Sequence, residues 1–175
     1  MINPTIKNIS SHPEYRGVRF PFIGVRQFWR VLGKAGLINL ELSEKLPLSK
    51  GWLELHTDLV KRELLENKLF ITNSVKCCYN HGNYPNKKVI KEQLSFLEAE
   101  IKIVNPRKII AFGGLVFKYL TGKSIVLSEY WDKEPLKEYP EIITGLKIPV
   151  IPAYFPVGKG NPSKAIRTLS QILPR

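Results

Sequence analysis

Apolar residues along this chain recur first at helical spacing and then in short runs too brief for a helix. Phe22, Val25, Phe28, Trp29 and Leu32 fall on one stripe and Gly36 follows as a terminator, which predicts a helix over about residues 21–36. A second stripe, Leu55, Leu59, Leu64 and Leu65, runs through LELHTDLVKRELLEN. It gives way to LFITNSV, which reads as a short buried strand ending near Asn73. After a polar, turn-rich loop over residues 79–87, Ile90, Leu94, Leu97, Ile101 and Val104 mark a helix that stops at Asn105-Pro106. KIIAFGG reads as strand and glycine turn, residues 115–120 as a short helix, and residues 122–147 carry little pattern. IPVIPAY supplies a further strand, and a last helix starts at about Ser163.

Strands alternating with helices predict an α/β fold with a parallel sheet covered on both faces. In such sheets the loops leaving the carboxyl ends of strands build the site, which points to Asn73 and its successors, to Gly113-Gly114 and to FPVGKGNPS. INPT would suit a loop after a first strand, yet the chain starts at Met1. The expectation is a truncated sequence or a start placed too late, with a sheet that lacks one strand.

The chain has 175 residues, 43% of them hydrophobic, without repeats or low-complexity tracts, so one domain over residues 1–175 is expected. Charge changes the picture more than size does. Lys and Arg number 27 against 15 Asp and Glu, a formal +12, and a polyanion is the natural partner. Solubility alone, a ribosome and a membrane surface are the plain alternatives that charge leaves open. Cys77 and Cys78 are adjacent, a spacing that disfavours a disulfide and points to a reducing compartment. The sequence has no long apolar segment, and its N-terminus lacks the apolar core of a signal peptide. The expected place is the cytoplasm, at the nucleoid, with no membrane partner.

Three segments, taken in order, resemble the uracil-DNA glycosylase superfamily. INPT followed by RGVRFPFIGVRQFW is similar to the Gly-x-Asn-Pro segment and following aromatic helix of the mismatch-specific and single-strand-selective branches. The resemblance implies that Asn3 holds the attacking water and that Phe20 stacks on a flipped base. Met1 stands where the glycine would be. A frayed terminus and an ordinary core phenylalanine are the alternative readings of these two residues. LFITNSVKCC with GNYPNKKVIKEQLSFLEAEIKIVNPRKIIAFGG resembles the iron-sulfur branch, and Asn73 would then read the base. A rigid carboxamide offers an acceptor and two donors, which pair with the imide edge of uracil and mismatch cytosine. On spacing alone Asn73 also suits a turn cap at a strand end. The iron-sulfur enzymes use four cysteines, whereas only Cys77 matches a ligand position and Gln93 stands at another. Cys77, Cys78 and His81 make a weak metal set, and no metal or cofactor is implied.

IPVIPAYFPVGKGNPSKA is similar to the strand and loop that carry His-Pro-Ser in the superfamily. Phe155 replaces the histidine, whose loss as a hydrogen-bond donor costs about 10²–10³ in rate. Asn161-Pro162-Ser163 offers a second register, matching the Asn-Pro-Ser of the mismatch-specific branch. Gly158, Lys159 and Gly160, with Asn161 and Ser163, suit a DNA phosphate contact before a helix, or else a plain surface turn.

The resemblance implies a three-layer sandwich around a central, mainly parallel four-stranded sheet. It implies a monomeric glycosylase that extrudes uracil or another deaminated base from uracil-containing or mismatched DNA and hydrolyses its N-glycosidic bond. A relative that binds DNA without catalysis is the alternative, and a basic α/β protein binding a nucleotide or RNA is a third.

Overall fold

The computed structural model describes residues 20–76, 87–131, 136–158 and 160–172. The chain divides into two compact units, residues 1–87 and 88–175.

In the first unit, helices α1 (Arg26–Lys34), α2 (Leu40–Lys45) and α3 (Glu54–Glu66) surround Phe28, Trp29 and Trp52, all fully buried. Helix α1 is shorter than its apolar stripe predicts. Phe22 and Gly24 take left-handed φ values of 67° and 74°, which an α-helix excludes, so residues 21–24 form a turn instead. The far end is closed as expected, with the Leu37 N–H donating to the Leu32 carbonyl and the Gly36 N–H to the Gly33 carbonyl, each at 3.0 Å. Asn39 caps α2 by accepting from the Leu42 N–H at 2.9 Å, while its own N–H donates to Glu63 on α3 at 2.7 Å.

Helix α3 has the predicted extent but a different inward face. Thr57, Val60 and Leu64 are buried, whereas Leu55 and Leu65 lie in solvent. A polar residue holds the central position because Thr57 Oγ1 accepts from the indole N–H of Trp52 at 2.9 Å, giving a buried donor its partner. The run after α3, read in sequence as a strand ending near Asn73, is irregular. β propensity expresses fit to a pleated neighbour, and among the described residues no strand offers this run a ladder.

The second unit starts with α4 (Lys87–Val104), which buries Ile90, Leu97 and Ile101. It stops where expected: Asn105 turns left-handed, its N–H bonds to the Ile101 carbonyl at 2.8 Å, and Pro106 follows. The sheet among the described residues is three-stranded and mixed, ordered β1-β3-β2, rather than four-stranded and mainly parallel. β1 (Ile109–Phe112) runs parallel to β3 (Pro149–Ala153), with Ile109 opposite Val150 and Phe112 opposite Ala153. β2 (Tyr139–Pro140) pairs antiparallel to β3, and two residues are too few to print a period on the sequence. Leu97 and Ile101 of α4 pack with Phe117 and Leu120 of α5 (Gly114–Thr121) against Ala111 and Val150 of the sheet. Helices α6 (Leu127–Tyr130) and α7 (Pro162–Ser170) complete the unit. No described helix is long and apolar enough to cross a membrane.

At the end of the stretch without sequence pattern, one buried acid gathers the backbone around it. The Glu141 carboxylate accepts from the N–H groups of Ile143 at 2.8 Å and Thr144 at 2.9 Å, and from the Thr144 hydroxyl. Burial pushes its pKa upward, but these hydrogen bonds and one from the Lys147 backbone outweigh burial and hold it below the usual carboxylate value. A lowered folded pKa adds stability above the unfolded value, and that stability is lost as pH falls through the folded one. Glu141→Gln should therefore cost about 1–3 kcal/mol in urea unfolding at neutral pH, and the gap between variant and parent should narrow as the medium is acidified below the ordinary value of 4.5. In the first unit, a Cβ on Gly33 would lie 2.1 Å from the Oγ of buried Ser43. Gly33→Ala should cost about 1–3 kcal/mol by the same measurement, because α1 and α2 must separate to admit a methyl group.

Candidate nucleic-acid interface

Phe20 is half-buried, and its ring meets Trp29 edge-on with centroids 6.2 Å apart. The turn behind it is fastened at one atom: the Phe22 carbonyl accepts from the Val25 N–H at 2.9 Å and from Trp29 Nε1 at 3.0 Å. Phe22 itself is buried and lies flat on Phe28, with ring centroids 3.8 Å apart. Left-handed backbone at a bulky residue costs about 1–3 kcal/mol, and it persists here because ring stacking and the doubly bonded carbonyl over-determine the turn. Trp29 thus positions the segment that carries Phe20.

Asn73 lies after the irregular run and is half-buried. Its backbone is tied down by Lys76, whose ammonium donates to the Asn73 carbonyl and to Thr72 Oγ1, each at 2.6 Å. The Asn73 carboxamide makes no hydrogen bond among the described residues. Lys76 was visible in sequence only as part of the motif; its anchoring role comes from the geometry. Asn3, Cys77, Cys78, His81 and Lys159 lie outside the described residues.

In the second unit the parallel pairing sets the carboxyl ends of β1 and β3 side by side, with the Gly113 N–H donating to the Ala153 carbonyl at 2.9 Å. From these ends leave Gly113-Gly114 and the segment of residues 154–161, as the sheet-edge argument expects. Phe155, at the histidine position of the motif, is half-buried. A Cβ on Gly160 would lie 1.9 Å from the Phe155 carbonyl oxygen, so only glycine fits this fold of the loop. The Gly160 N–H donates to the Val157 carbonyl at 3.1 Å. Asn161 spends its side chain capping α7, accepting from the Lys164 N–H at 3.0 Å, and Pro162 opens the helix. Ser163 stands exposed in the first turn.

A cluster that no motif marks lies beside this loop. The Lys164 ammonium sits 4.4 Å from the ring centroid of Trp131 and 5.2 Å from that of Tyr154, and the Arg167 guanidinium lies 5.1 Å from Trp131. The spacing of Lys164 and Arg167 on a helix was a usable signal. Trp131, in the unpatterned stretch, gave none. Among the described residues, no group of three or more His, Cys, Asp or Glu side chains is arranged to hold a metal ion.

An α/β unit with glycine-bearing loops at the carboxyl ends of parallel strands, in a strongly basic chain, defines the class to which the comparisons assign it. The family model of the uracil DNA glycosylase superfamily matches residues 3–166, and the chain belongs to that superfamily. No curated protein and no solved structure matches it.

The loop geometry ranks its glycines. Gly160→Ala should destabilise the protein by about 2–3 kcal/mol through the clash with the Phe155 carbonyl. Gly158→Ala, left-handed at φ 62° but with no neighbour within 4 Å of an added Cβ, should cost about 1 kcal/mol. Urea unfolding of the two variants tests the order; equal losses would refute the close approach at Gly160.

Proposed function

We propose that this chain is a monofunctional DNA glycosylase that extrudes a deaminated base, uracil first among candidates, from uracil-containing or mismatched DNA and hydrolyses its bond to the sugar. In this reading Asn73 reads the base edge, Phe20 stacks on the base and Asn3 orients the attacking water. The observation that carries it is the state of Asn73: a carboxamide that makes no hydrogen bond among the described residues, on a backbone pinned by Lys76, in a chain belonging to the uracil DNA glycosylase superfamily. Departure of the base leaves an oxocarbenium-like sugar and a base anion, so a held water and fixed dipoles serve the reaction better than a strong nucleophile does. An amide orients water but is a weak base, and a slow enzyme is the expected result. Gly158, Lys159, Gly160 and Ser163 contact phosphate in this scheme, with Asn161 shaping the helix start. The protein acts as a monomer at the nucleoid, in the cytoplasm.

Phe155 favours a second reading. A phenylalanine cannot donate to the developing base anion as a histidine does, and the chain then binds DNA without cleaving it.

Incubation with a uracil-containing oligonucleotide should yield an alkali-labile abasic site. Asn3→Ala should abolish the product, and Asn73→Ala should slow its formation by about 10²–10³. Salt-sensitive DNA binding with no product on uracil, hypoxanthine or mismatched substrates would select the second reading.

A further inference from the structure

We infer that Trp131, Tyr154, Lys164 and Arg167 form a pre-ordered contact for the DNA phosphate backbone, centred on α7. The inference rests on the reading of the chain as a DNA-binding protein, and it uses side chains to which neither the motif nor the resemblance assigns a role.

Lys164 and Arg167 stand three residues apart on α7 and so share a helix face. Trp131 follows α6 and Tyr154 follows β3, so three separate elements supply the cluster. What the rings do to the cations matters most. An aromatic face attracts an ammonium or guanidinium through its quadrupole yet carries no net charge, so it orders the cation and leaves its positive field intact. A carboxylate would order it equally well and cancel the field. Lys45, Lys61, Lys102 and Lys108 are paired in that second way, with Glu41, Asp58, Glu98 and Glu138. Lys164 has no carboxylate partner among the described residues; it has two rings instead.

Pre-ordering lowers the side-chain entropy lost on binding, which for a long lysine is a substantial part of the cost of a contact. The first turn of α7, which holds Lys164, contains no acidic residue and gains partial positive charge from the helix dipole, whereas Arg167 lies in the last turn and acts through its own charge. Arginine suits bidentate capture of phosphate oxygens and lysine adds a point charge. Two cations along one helix face fit a chain of phosphodiesters better than a single anion, and the formal +12 of the protein draws such a polymer in. DNA rather than RNA follows from the superfamily.

The test is fluorescence anisotropy with a labelled, uracil-free single-stranded DNA over a series of salt concentrations, on the full-length protein. The variant Lys164→Gln/Arg167→Gln should weaken binding by about fivefold to tenfold per charge at low salt. It should also lower the slope of log affinity against log salt by about 1–2. Lys61→Gln/Arg62→Gln, which removes the same two charges from α3, should leave the slope near that of the parent. Trp131→Ala should shift the slope toward that of the glutamine pair, and Trp131→Phe should keep the parent value. The glutamine pair on α7 decides the matter if Trp131→Ala does not fold.

An unchanged slope in the α7 pair, an equal fall in both pairs, or tighter binding to RNA of the same length would overturn the inference. Abasic-site formation, assayed separately, distinguishes the two levels. A slope change in a protein that makes no product keeps the backbone contact and removes the glycosylase, whereas product formation with no slope change removes only the contact.

Discussion

Parallel pairing of Ile109–Phe112 with Pro149–Ala153 is the constraint from which the second unit is organised. Strands that run the same way must end on the same edge, and the Gly113 N–H bonded to the Ala153 carbonyl closes that edge. Each loop that leaves it inherits a position and a direction. Residues 154–161 then fold back tightly enough that position 160 cannot carry a side chain, which delivers α7 with Asn161 as its cap. The cations of α7 meet Trp131 and Tyr154 as a consequence.

The first unit solves a different problem, that of holding a turn that its own backbone disfavours. Left-handed Phe22 is retained because the Trp29 indole and the Val25 amide both bond its carbonyl and because its ring is sealed against Phe28. Trp52 repeats the logic one layer away, its indole satisfied by a buried threonine. Both tryptophans contribute more than buried area: each spends its single polar atom on locking a neighbouring segment. Asn73 shows the reverse economy, with its backbone fixed through Lys76 and its carboxamide without a partner among the described residues.

Charge and order are linked throughout the protein. Exposed ion pairs such as Lys45 with Glu41 add little stability and cancel field locally, so the excess of basic residues acts mainly through cations that are not neutralised. Aromatic partners place such cations without neutralising them. Glu141 is the acidic counterpart: its carboxylate, buried and supplied with backbone and hydroxyl donors, organises residues 141–148.

From sequence alone the helices over residues 54–66 and 87–104, the strands around residues 109–112 and 149–153, the basic balance and the superfamily were legible, since each depends on local periodicity, composition or ordered motifs. Tertiary structure decided the rest. Among the described residues it offered the run before Asn73 no ladder, because strand formation needs a neighbour that propensity cannot supply. It turned Thr57 inward and Leu55 and Leu65 outward, because a buried indole needed an acceptor. It drew Trp131 to Lys164 across more than thirty residues of chain, a contact that comes from packing between elements and leaves no trace in local spacing.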